Sequence, residues 1–124
     1  MAARAGTGLH KREANSRAAQ AQVNATRDQI TDEIWTAYSN LKTALRQRQS
    51  ELALLEAGNQ SYAAELESYK YGVRSFLDVT AAQRTLAQAR STDVLARTQV
   101  LAAIAKLAFE TGDAIQSTAP TRRP

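Results

Sequence analysis

Large side chains recur along the first half of this chain at steps that alternate four and three. They are Ile34, Tyr38, Leu41, Leu45, Arg48, Leu52, Leu55, Asn59, Tyr62, Leu66 and Tyr69. Positions at this spacing line one side of an α-helix and form a heptad seam. No proline interrupts the stretch and its one glycine is Gly58, so the pattern predicts a helix over residues 11–71. At about 1.5 Å per residue that helix spans on the order of 90 Å, and its partners must run beside it for most of its length. A second seam, Val79, Ala82, Leu86, Ala89, Asp93, Ala96, Val100, Ala103 and Leu107, predicts another helix from Leu77 to Glu110 or Thr111. Small residues at half of that second seam permit close approach, and large residues of the first can lean into the gaps. Leu95, Leu101, Ile104 and Ala108 lie beside the second seam and widen its apolar face. Two helices alone leave that surface open, which implies a further partner, either more helices of a longer chain or other subunits.

The helical pattern breaks once, over residues 73–76, just after Tyr71-Gly72. One reversal between two long helices makes an antiparallel helical hairpin. A rival reading places a turn at residues 58–61 and folds the chain as three helices. The seam nevertheless passes from Leu55 through Asn59 to Tyr62 without a phase slip, and a lone helical glycine costs only about 1 kcal/mol relative to alanine. Residues 1–10, with two glycines and the only histidine, read as a disordered lead-in. Thr111-Gly112-Asp113 reads as a helix stop, with glycine in the left-handed position, and residues 114–124 as a disordered tail.

Composition supports an all-α, coiled-coil-like architecture with little globular core. The chain has 124 residues, enough for one domain. Its hydrophobic share is 44%, but 25 residues are alanines, which favour helix and fill little volume. The net charge of +4 comes from basic residues crowded at the two ends. Between them acids and bases interleave as on a solvated helix surface, and no basic stripe alternates with aromatics, so nucleic acid is not an expected partner. The absence of cysteine removes disulfides, thiolate metal sites and a lipid-anchor cysteine within this chain. No apolar run is long enough for a membrane-spanning helix, and the N-terminus lacks the apolar core of an export signal.

Catalytic chemistry has no foothold in these residues. His10 lies in the lead-in beside Lys11 and Arg12, and no metal-ligand spacing or phosphate-binding loop is present. Asp32-Glu33 and Glu65/Glu67 occupy helix positions that point apart. Residues 26–29, TRDQ, match a capping box but fall inside an unbroken helical pattern. Trp35, beside the first seam, is expected to pack there or to mark contact with a neighbour. No catalytic, cofactor or metal residue is assigned, and the chain does not read as an enzyme.

The reversal carries the most specific residues. Gly72 suits a positive φ, and either Ser75 or Asp78 can cap the next helix. Capping does not explain why Val73, Phe76 and Leu77 are apolar at an apex that projects into water beside Arg74. Exposed apolar groups next to a guanidinium make a docking surface.

The order Tyr69, Tyr71-Gly72, residues 73–76, Leu77-Asp78-Val79, then Ala82-Gln83-Arg84 with Leu86, resembles the tip of TolC-like outer-membrane efflux proteins. Ile30, Glu33-Ile34, Ala37-Tyr38 and Leu41 upstream, and Ala105, Leu107 and Thr111-Gly112 downstream, extend the resemblance over residues 12–113. It implies a homotrimeric channel in which a β-barrel in the outer membrane continues into a periplasmic α-barrel. The barrel tips meet a periplasmic adaptor protein and an inner-membrane pump, in efflux or type I secretion. Residue by residue, Gly72, Arg74, Ser75, Phe76 and Leu77 match the adaptor-docking tip, and Asp78 matches a carboxylate position at the channel entrance. Some members carry a second acid one turn later, where this chain has Ala81. Strand segments, a first repeat, an export signal and an anchor cysteine are not found. The expectation is a fragment: the hairpin of one repeat, read as the second, spanning residues 11–113. An independent cytosolic coiled-coil hairpin serving as a scaffold is the alternative.

Overall fold

The computed structural model describes residues 2–118, with side-chain surroundings for residues 6–116. The chain folds as two helices, α1 (Ala2–Lys70) and α2 (Phe76–Thr118), which pack antiparallel around one reversal. This is an all-α helical hairpin, as the two seams predict. Alanine, the best helix former, is the commonest residue of both segments, and no proline lies inside either. α1 continues unbroken through Gly58, so the three-helix reading fails. Thr26 bonds its hydroxyl to the Gln22 carbonyl at 2.9 Å, as a mid-helix threonine does, and caps nothing.

With 69 residues against 43, α1 runs past the end of α2 by roughly 40 Å. Ala114 of α2 lies in one groove with Thr26 and Ile30, near the level where pairing stops. The solvent-accessible surface is 10215 Å². A compact monomer of 13.5 kDa would expose about 6,500 Å². A bare hairpin has no second layer to close over it, which accounts for the excess.

The core is a narrow line between the helices: Ala37, Gly58, Val79, Leu86, Ala96 and Val100, with Asp93 the one buried charged residue among the described side chains. The seam of α2 is the one the spacing predicts, buried or half-buried at every position from Val79 to Leu107. The seam of α1 differs at alternate positions. Ile34, Leu41, Arg48, Leu55 and Tyr62 face inward as expected. Tyr38, Leu45, Leu52 and Asn59 do not, their places being taken by Ala37, Ala44, Glu51 and Gly58, each one residue earlier; nearer the turn Leu66 is half-buried as expected and Tyr69 is exposed. The reason is complementarity of size. A Cβ on Gly58 would stand 3.6 Å from Leu86 Cδ1 and 3.8 Å from Ala89 Cβ, so the bulky Leu86 fills the place that glycine leaves. Extending this register in heptad steps sets Ala44 opposite Val100 and Ala37 opposite Leu107. Large residues of α2 thus meet small residues of α1, and the displaced Tyr38, Leu45 and Leu52 flank the seam in the open.

The helix ends also differ from the sequence reading. α1 begins at Ala2, so the described part of the expected lead-in is helical. α2 begins at Phe76, one residue before Leu77, because Ser75 is its cap. It passes through Gly112 to Thr118. Gly72 is the one described glycine with positive φ, so Gly112 is not a left-handed stop. The expected tail is helical over residues 114–118, and its remainder, 119–124, lies outside the described residues.

Candidate docking tip

Two local motifs fold the tip, and both follow from residue type. At the end of α1, Gly72 adopts φ +76°. Its N–H donates to the Tyr69 carbonyl at 3.0 Å, and Val73 N–H donates to the Ser68 carbonyl at 2.9 Å. That pair of bonds is the Schellman ending, which satisfies carbonyls the helix would otherwise leave open. At the start of α2, the Ser75 hydroxyl oxygen accepts from Asp78 N–H at 3.3 Å while Asp78 Oδ2 accepts from Ser75 N–H at 3.0 Å. This reciprocal capping box is tightened by the Ser75 hydroxyl donating to the same carboxylate oxygen at 2.9 Å. Ser75 and Asp78 therefore cap together rather than either alone. The Ser75 backbone and hydroxyl bonds, with the nearby charge of Arg74, hold the Asp78 carboxyl below its ordinary pKa.

With both helix ends closed by these bonds, the apolar side chains of the turn point outward. Tyr71, Val73, Phe76 and Leu77 are 77%, 75%, 68% and 78% exposed. Val73, where a Schellman ending commonly makes an apolar contact, makes the hydrogen bond and leaves its side chain in solvent. Phe76 leans on Tyr69 across the reversal, with ring centroids 6.2 Å apart and planes tilted by 60°. Arg74 Nε lies 3.6 Å from Glu65 Oε2, and the arginine side chain stays about half exposed. The apex is an aromatic-aliphatic surface of order a few residues across, with one guanidinium at its edge.

The structure gathers all the predicted tip residues into this turn but divides their work. Gly72, Ser75 and Asp78 build the turn; Arg74, Phe76 and Leu77 form its surface. Sequence reasoning missed Glu65 and Tyr69 as their supports. Glu65 lies across the reversal from Arg74, at a separation that no helical spacing rule flags, so only the folded turn brings them together.

Elsewhere the hairpin shows two unlike faces. A groove on one face is lined by Asn40, Thr43, Gln47, Thr92, Leu95 and Gln99. On the opposite face Tyr38, Leu45 and Leu52 of α1 run beside Val94, Leu101 and Ile104 of α2, all exposed. Trp35 belongs to this second face, 64% exposed and edge-on to Tyr38 at 6.1 Å, so it does not pack into the seam. His10 approaches Glu13 at 3.9 Å and is otherwise open to solvent. Among the described residues no group of acidic, histidine or cysteine side chains is arranged to hold a metal ion, and no helix is long and apolar enough to cross a membrane.

An elongated hairpin with an open apolar flank and a shaped apex defines a class of fold: a long, two-helix antiparallel coiled-coil hairpin. The sequence model of the outer membrane efflux protein family matches residues 4–113, nearly the whole chain. The chain belongs to that family, which is a family of outer-membrane transport channels rather than of enzymes. No curated protein and no solved structure matches it significantly.

Proposed function

We propose that this hairpin is the periplasmic helical segment of an outer-membrane efflux or secretion channel subunit, and that its tip docks a periplasmic adaptor protein. The family match supports the channel role and favours it over a cytosolic scaffold. The observation that carries the docking reading is the exposed set Val73, Phe76 and Leu77 beside Arg74, on a turn closed at both helix ends by its own hydrogen bonds. Exposed apolar anchors at a rigid apex lose little conformational entropy when a partner covers them. Arg74 adds a planar cation suited to a carboxylate on the partner. In this reading the subunit assembles as a homotrimer, the open apolar flank packs against neighbouring hairpins, and an inner-membrane pump feeds the conduit. Asp78 stands at the channel entrance as well as in the cap.

The test is made in the assembled channel subunit. Arg74→Glu and Phe76→Asp should each reduce crosslinking to the adaptor and export while leaving trimer assembly intact. Loss of one interface anchor costs about 1–4 kcal/mol, enough to weaken transient docking severalfold or more. Parent-like crosslinking and export by both variants would reduce the tip to a turn and refute the docking role.

A further inference from the structure

Both seams obey one rule of large against small, and both break it at the same level. In α2 the large positions Val79, Leu86, Val100 and Leu107 recur by heptads, with Asp93 in the middle. In α1 the small positions Ala37, Ala44 and Gly58 recur likewise, interrupted by Glu51, and the large series Leu41 and Leu55 is interrupted by Arg48. The register set by Gly58 and Leu86 brings Glu51 opposite Asp93, with Arg48 one turn away. Asp93 is only 3% exposed; its Oδ2 receives Arg97 at 2.8 Å, while Oδ1 has no hydrogen-bond partner. Arg48 Nε is likewise buried without one, and Glu51 is held by Gln47 at 2.7 Å. Two acids and two bases, Glu51, Asp93, Arg48 and Arg97, share one level of the seam, with Arg97 bonded to Asp93 and Gln47 to Glu51 along their own helices. Glu65, half-buried nearer the turn, is a further acid of the α1 series.

In a uniform Ala-Leu heptad repeat every layer meets an equivalent one after a slip of one heptad, so the seam itself would not resist a slip and only the turn at residues 71–75 would. A polar layer removes that degeneracy. After a slip, Asp93 would keep Arg97 but face an alanine or glycine layer, and Glu51 would face Leu86 or Val100, so each charge would be set against apolar groups. We propose that Arg48, Glu51 and Asp93 are the register determinant of the hairpin, fixing which segments of α1 and α2 face one another. The layer selects a pairing rather than strengthening it.

The test uses the whole chain, whose lack of cysteine leaves introduced pairs unambiguous. Ala44→Cys with Val100→Cys reports the native register by intrachain disulfide formation, and Ala37→Cys with Val100→Cys reports a slip of one heptad. In the parent background the first pair should crosslink and the second should not. The triple substitution Arg48→Leu, Glu51→Ala and Asp93→Leu restores the large-small repeat at this level. It should retain helicity by circular dichroism and melt at or above the parent temperature, yet crosslink through both pairs to comparable extents. A triple variant that keeps the parent's selectivity overturns the proposal. Loss of helicity overturns it too, because the layer would then supply stability rather than register.

Discussion

Gly58→Ala should stabilise the hairpin, although the position is buried between the helices. Two effects act in the same direction. Replacing a helical glycine by alanine gains about 0.8–1.0 kcal/mol through the lower conformational entropy of the unfolded chain. The added methyl would meet Leu86 Cδ1 at 3.6 Å, Leu86 Cα at 3.7 Å and Ala89 Cβ at 3.8 Å, all ordinary van der Waals separations. Contacts of that kind contribute about 0.1–0.2 kcal/mol each, so the net expectation is about 1–1.5 kcal/mol. Gly58→Leu reverses the sign, because its further carbons enter space already held by Leu86; overpacking of this kind costs about 1–3 kcal/mol. Gly72→Ala is a control at the apex, where nothing lies within 4 Å but φ is +76°, and the left-handed backbone costs about 1–2 kcal/mol for a residue with a Cβ. Urea unfolding followed by far-ultraviolet circular dichroism, at one protein concentration for every variant, reads all three. If Gly58→Ala lowers the midpoint, the helices approach more closely than the register described above. If Gly58→Leu is as stable as Gly58→Ala, no partner helix covers that position and the large-small argument fails.

Ser75→Ala should loosen the start of α2 by about 0.5–2 kcal/mol, seen as faster amide hydrogen exchange over residues 76–80 and unchanged exchange near Val100. Asp78 has a depressed carboxyl pKa, so its contribution is present above the ordinary aspartate range and is lost as pH falls through the depressed value. Protection of the tip amides, taken relative to the intrinsic exchange rate at each pH, should therefore fall below about pH 4 in the parent, and Asp78→Asn should flatten that response; an equal acid response in both would refute the linkage. Sedimentation of the chain should show self-association through the open flank, reduced by Val94→Gln with Leu101→Gln. A cooperative monomer at high dilution would contradict the view that this face is built for neighbours.

Heptad spacing alone determined the all-α class, the two long helices, the single reversal and the whole seam of α2. These are local and periodic properties, and neither proline nor phase slip obscures them. The tip was legible for the same reason: Gly72, Ser75 and Asp78 act within a few residues of one another, and apolar residues at an apex stand out from a polar helix surface. The seam of α1 was half legible. Choosing the larger of two adjacent residues selected Tyr38, Leu45 and Leu52, whereas Leu86, Val100 and their heptad mates demand alanine or glycine across from them. That choice depends on what the other helix presents, which no reading of α1 alone contains. Tertiary structure likewise decided that Gly58 is a contact, that Glu65 meets Arg74 around the turn, and that Glu51 and Asp93 share a layer. It also carried both helices through glycines that local propensity marks as weak points. Periodicity records which residues can share a face; only the register of the second helix decides which of them are covered.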